Sequence, residues 1–324
     1  MTLTRESRSA IAPHLALVAV QILFGTWPIF GKIVLRSMSS VSLVSCRLTG
    51  AALLFALLQR KLSPLFRMPA KDIGLLITCS MIGIVGNQLL YVKGLSLTTV
   101  INATLLSTTI PVFTLFVSIL FRYDRLSSRR LIGIMLAAAG VVYLVNPTRA
   151  DLSPQTTVGN VLLIANSLLY AVYIVISKDL FKRYGALNVI TWIFLVGSVI
   201  TIPLGVYSLQ QESLSAISAG VWLIVALIII FPTVGAYYLN ASALTKVPPS
   251  TVAVYIYLQP LIAFGVAPLL LGEHLSWRTG VAAILIFAGV GIVSHKKAQK
   301  AHKAQKQPGI ILCLLCFMCL LWLI

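Results

Sequence analysis

Apolar stretches long enough to cross roughly 30 Å of hydrocarbon recur along nearly the whole of this chain. They leave few ways to fold, because a backbone inside a bilayer must satisfy its own N–H and C=O groups, as a helix does. Ten such spans precede residue 296, at about 13–34, 39–59, 72–91, 97–120, 129–146, 159–178, 187–208, 219–240, 249–271 and 277–294. The loops between them are short and carry charge, Gly, Pro or Ser. With 59% hydrophobic and 10% charged residues, the chain falls outside the range of soluble domains and reads as an all-α integral membrane protein. The first span has no small-residue cleavage site before a hydrophilic stretch, so a retained helix is expected rather than a signal peptide.

The net charge of +18 is explained by its placement. With a cytoplasmic N-terminus and alternating sides, nineteen Lys and Arg fall inside and five outside (Lys32, Arg36, Lys93, Arg149 and Arg278), with Arg47 left within a span. That bias predicts a multi-pass protein of the cell (inner) membrane with its N-terminus in the cytoplasm. The basic loops lack the interleaved aromatic residues a single-strand binder uses, so no nucleic-acid partner is expected. None of the five cysteines lies in a predicted external loop, so no disulfide framework is implied. Cys313, Cys316 and Cys319 have metal-like spacing, but their run is too apolar to suggest a metal site. No cofactor is expected, and the oligomeric state is not legible.

The chain repeats internally. At an offset of 149, Gly86 falls on Gly235, Leu95 on Leu244, Pro111 on Pro260, Asp124 on Glu273, and Ala139-Gly140-Val141 on Ala288-Gly289-Val290. At an offset of 146, FGTWPIFGK (24–32) falls on YAVYIVISK (170–178), which places Trp27 on Tyr173 and Lys32 on Lys178. Each copy holds five spans, an odd number, so the second copy is expected to enter the membrane from the opposite side. The reading divides the chain into a cytoplasmic N-terminus (1–12), a first five-helix repeat (13–146), an external linker (147–158), a second, inverted repeat (159–295) and a basic tail with a short hydrophobic segment (296–324). That last segment is either an extra span, an interfacial helix or the product of an altered reading frame.

The run LLYVKGLSLTTVINATLLSTTIPVFTLFVSILFRYDRLSSRRLIGIMLAAAGV and its second copy, YYLNASALTKVPPSTVAVYIYLQPLIAFGVAPLLLGEHLSWRTGVAAILIFAGV, resemble the drug/metabolite transporter superfamily in its ten-helix EamA-type branch. The shared features are an Ala/Leu-rich helix end, a Pro in the fourth helix of each repeat, an acid thirteen residues after it, and a Gly-ended fifth helix. Trp27 in the first span and Arg47 in the second are similar to the same family, and the resemblance extends over roughly residues 13–295. It implies a compact carrier with a central cavity, often exporting amino acids or other small metabolites.

Every Asp and Glu lies in a loop or at a helix end, and no His lies mid-span, so a buried acid cannot drive proton antiport and no catalytic constellation is present. What remains at depth is neutral. The expected substrate-binding residues are Gln21, Trp27, Gln88, Tyr91, Thr108, Tyr170, Tyr173, Tyr237, Tyr257 and Gln259, which suit a polar or zwitterionic solute; gluing of helices is the competing role. Pro111 and Pro260 each free the carbonyl four residues earlier, so both fourth helices should kink and serve as helix breaks or gates. Arg47 either holds a substrate anion or reaches to the interface or to backbone carbonyls. Trp27 and Tyr173 are read as an aromatic pair or as ordinary packing, Lys32, Lys93 and Lys178 as interfacial anchors, and Asp124 and Glu273 as helix caps. The expected activity is alternating-access transport of a small polar or zwitterionic metabolite between lipid-bounded compartments, by an exporter or exchanger rather than an enzyme. Efflux of amphipathic drugs is the alternative, and a non-transporting receptor or enzyme a more distant one.

Overall fold

The computed structural model describes residues 5–59, 67–125, 127–145, 154–213, 217–262 and 277–301. The expected linker around Asp151, the cap Glu273 and the apolar segment 309–324 with its three cysteines lie outside the described residues.

Among the described residues the chain is helical throughout. The first half comprises α1 (Arg5–Val34), α2 (Ser40–Leu58), α3 (Ala70–Ser80), α4 (Asn87–Leu97), α5 (Val100–Ser107), α6 (Ile110–Leu120) and α7 (Ser128–Val145). The second comprises α8 (Pro154–Ile176), α9 (Lys178–Tyr184), α10 (Ala186–Gln210), α11 (Ala219–Ile228), α12 (Ala236–Lys246), α13 (Pro249–Val254) and α14 (Trp277–Ala301). Apart from α9, which follows the sixth span, the extra pieces arise inside spans rather than between them. A π turn, Met81–Gly86, joins α3 to α4, and another, Ile229–Gly235, joins α11 to α12. The fourth span breaks at residues 108–109 between α5 and α6, and the ninth passes through a 3-10 turn, Tyr255–Tyr257, after α13.

Starts of helices follow local chemistry. Ser39, Thr99 and Ser218 each accept a backbone N–H from three residues on and so cap α2, α5 and α11. Pro249 opens α13 where no intrahelical N–H is needed. The last helix runs to Ala301, past the expected end of the span at 294, because Lys, Ala and Gln are good helix formers beyond the apolar run.

Packing pairs the halves in a reciprocal way. The second span of each half meets the other, α2 on α10, and so do the fifth spans, α7 on α14. The third span of one half meets the first of the other in both directions, α4 on α8 and α12 on α1. Small residues permit the closest approaches. A Cβ on Gly289 would stand 2.4 Å from the Gly133 carbonyl, and one on Gly159 would stand 2.9 Å from that of Gly94. The outer surface is apolar, with Leu57, Phe116 and Val199 at 75%, 69% and 70% exposure, a distribution stable only against lipid.

Candidate functional site

The irregular stretches of the spans converge. In register the two π turns coincide, each ending on one of the matched glycines, Gly86 and Gly235. A π turn shifts the helical face and misaligns the backbone ladder, which is why such turns accompany functional sites. The absence of a side chain at Gly83 lets Tyr173 lie on the first turn; a Cβ there would come within 2.1 Å of its ring. Asn87 and Asn166 fasten the same region to α8, each amide nitrogen donating to the other's backbone carbonyl, at 3.3 and 2.8 Å.

Between these elements lies a cavity of about 70 Å³. Its walls contain four register-related pairs: Phe24 with Tyr170, Gln88 with Tyr237, Ser107 with Ile256, and Ile110 with Gln259. One pair meets directly, the Gln88 amide donating to the Tyr237 hydroxyl across the boundary between the halves. Trp27, Arg47, Asn87, Tyr91 and Asn166 complete the wall. The opening is lined by hydroxyls, amides and ring faces, which can orient a small polar solute.

Arg47 is the charged member of this wall, and it is 1% exposed. Its Nη1 donates to Gln88 Oε1 at 2.7 Å, its Nε and Nη2 donate to Thr233 Oγ1 at 3.1 and 3.0 Å, and its guanidinium lies 3.8 Å from the Trp27 ring centroid. Thr233 in turn donates to the Ile228 carbonyl five residues earlier, across the π turn, at 2.8 Å. Arg47 therefore neither snorkels nor binds backbone carbonyls. Its partners are neutral: Gln88 and Trp27 from its own half, and Thr233 from the π turn of the opposite half.

Of the expected binding residues, Trp27, Gln88, Tyr91, Tyr170, Tyr237 and Gln259 come together at the cavity with Arg47. Gln21 stands behind it, accepting from Gln259 Nε2 at 2.8 Å. Thr108 does not line it; its hydroxyl donates to the Leu105 carbonyl at 2.6 Å at the break before α6. Tyr257 is fully buried away from the lining. Pro111 and Pro260 are buried just after the two breaks, Pro111 in the first turn of α6 and Pro260 beyond the 3-10 turn. Tyr173 does not pair with Trp27: its ring lies tilted against Tyr170 and edge-on to Phe181 with centroids at 6.0 and 6.5 Å, while Trp27 faces Tyr91 at 6.4 Å.

Two of the expected interfacial anchors have other work. Lys32 Nζ donates to the carbonyls of Leu95, Ser96 and Thr98 at 2.7, 3.3 and 2.7 Å, closing the C-terminal end of α4. Lys178, 6% exposed, donates to the Val247 carbonyl at 2.6 Å at the end of α12. Both serve orphan carbonyls at matched helix ends rather than the interface. Lys93 is exposed. Asp124 pairs with Arg130 in the first turn of α7. Thr233 was absent from the sequence reading, although a proline and a glycine flank it within an apolar span, and such a combination signals an interrupted helix.

The fold and this cavity define a polytopic, all-α membrane protein made of two related halves around one small polar chamber. The chain belongs to the EamA-like transporter family, whose model matches residues 12–146 and again 157–295. It is similar to an uncharacterized transporter of Archaeoglobus fulgidus, 30% identical over 226 residues, 68% of this chain and 76% of that one. It is also similar to the uncharacterized transporter YetK of Bacillus subtilis, 23% identical over 295 residues, 90% and 89% of the two chains. A solved crystal structure shares the fold with a TM-score of 0.70 at 17% identity, covering 90% of this chain and 98% of that one. The protein is thus a multi-pass membrane transporter.

Proposed function

We propose that this transporter is a secondary carrier moving a small polar or zwitterionic metabolite, an amino acid or related compound, by alternating access at the cavity between its halves. The observation that carries the reading is the lining itself. Four pairs of register-related residues from the two halves face one chamber, as expected of a binding site on the axis between inverted repeats. Rocking of one half against the other would expose that chamber first to one side and then to the other. An odd number of spans per repeat would supply the inversion, and the excess of Lys and Arg on one set of loops supports a cell-membrane carrier with both ends of the unit in the cytoplasm, exporting or exchanging its solute in this reading. A positive wall residue favours metabolites over the cationic drugs that an efflux carrier would take.

The test is flux in proteoliposomes carrying the purified full chain, screened with labelled acidic, neutral and basic metabolites. Gln259→Ala and Gln88→Ala are expected to slow flux of the accepted solute by about ten- to a hundredfold with membrane abundance unchanged, the loss expected for hydrogen bonds made to a bound solute. Undiminished flux in both variants would remove the cavity from the mechanism.

A further inference from the structure

We infer that the solute selected by this cavity is a small organic acid of net charge −1, whose carboxylate binds Arg47. The inference rests on the carrier reading above and narrows its polar metabolite to a monoanion, in place of the zwitterion.

Arg47 is sealed from solvent at 1% exposure, yet among the described residues no carboxylate pairs with it. The two described ion pairs, Asp124 with Arg130 and Asp72 with Arg183, lie at helix ends. A guanidinium has five N–H donors, and three are used here, one toward Gln88 and two toward Thr233. The Trp27 face adds an attractive but neutral partner. Two donors therefore remain on the nitrogens Nη1 and Nη2, the pair that forms the end-on fork fitting a carboxylate.

Electrostatics decides the net charge of the ligand. Burying an uncompensated guanidinium is costly, and the cost falls when an anion neutralises it in place. A monoanion bound at Arg47 leaves the loaded chamber neutral. A zwitterion leaves it at +1 and brings an ammonium that needs an anionic or strongly accepting partner, whereas Tyr91, Tyr170, Tyr237 and Gln259 offer only neutral groups. A neutral amide leaves the charge unmatched altogether. The expected order of affinity is hydroxy acid, then the amino acid of the same skeleton, then the amide.

Thermal stabilisation of the purified full chain reads this order directly, since a ligand for the folded state raises Tm. The probes are three matched sets of one skeleton each: glycolate, glycine and glycolamide; lactate, alanine and lactamide; phenyllactate, phenylalanine and phenyllactamide. At least one hydroxy acid is expected to bind about ten- to a hundredfold more tightly than its amide, and measurably more tightly than its amino acid. Arg47→Gln should abolish that preference, and Arg47→Lys should retain its sign at weaker affinity. Should Arg47→Gln fail to fold, the ranking in the wild type still decides. An amide or amino acid that equals the acid, a preference that survives Arg47→Gln, or silence from every hydroxy acid overturns the inference. The carrier reading fails separately: proteoliposomes that move the amino acid or amide, but not the acid, retain the carrier and lose only the anion.

Discussion

Tyr257 shows at the scale of one residue how depth differs from contact. The sequence places its hydroxyl beside Gln259 in a polar interruption of an apolar run, and that pattern reads as a binding surface. In the structure the ring is fully buried, and its hydroxyl has no hydrogen-bond partner among the described residues. An unpartnered buried hydroxyl has lost its water without replacement, which disfavours the folded state by about 1–3 kcal/mol. Tyr257→Phe is therefore expected to transport normally and to melt at the same temperature or a few degrees higher, as measured by flux and thermal unfolding of the same preparation. A marked loss of flux with intact stability would return Tyr257 to the binding site. Gln259, two residues away, does face the chamber, held by Gln21. Tyr257 ends the 3-10 turn and Gln259 follows it, so the two point in directions that a continuous α-helix does not anticipate.

Among the elements, the boundaries of some spans were legible and their interiors were not. Hydrophobic length sets where a helix can cross, so α2 and α10 begin and end within two residues of expectation. The π turns leave the hydrophobic pattern unbroken, and only Gly83, Gly86, the Pro232-Thr233 pair and Gly235 mark them. The kinks expected from Pro111 and Pro260 have counterparts in breaks on the N-terminal side of each proline, where the carbonyls lose their donors. Charge at span ends was the least legible, since interfacial anchoring and capping of a neighbouring helix require the same residue at the same depth. Lys32 and Lys93 separate the two roles. Lys32→Met leaves three carbonyls of the α4 terminus without their donor and should cost about 1–3 kcal/mol, whereas Lys93→Met should stay within about 0.5 kcal/mol of the wild type. Equal melting temperatures for the two variants would assign Lys32 to the interface after all.

For the molecule as a whole, the matched pairs in the cavity wall and the single charge of Arg47 bear together on energy coupling. Among the described residues no acid lines the chamber, so the wall offers no group to carry a proton with the solute. For the anion inferred above, the membrane potential is an available force. Moving one negative charge outward from a compartment held 100 mV negative releases about 2.3 kcal/mol, enough to sustain roughly a fiftyfold excess of the anion outside. Proteoliposomes loaded with the hydroxy acid that binds best, and clamped at that potential by a potassium gradient with valinomycin, are expected to approach this ratio. Dissipating an imposed pH gradient should leave the distribution in place, and the corresponding amide should equilibrate without regard to voltage. If the acid instead follows the pH gradient and ignores the potential, a proton travels with it. In that case a titratable partner must enter the chamber in a conformation other than this one, and Arg47 would anchor a carboxylate whose charge the travelling proton cancels over the cycle.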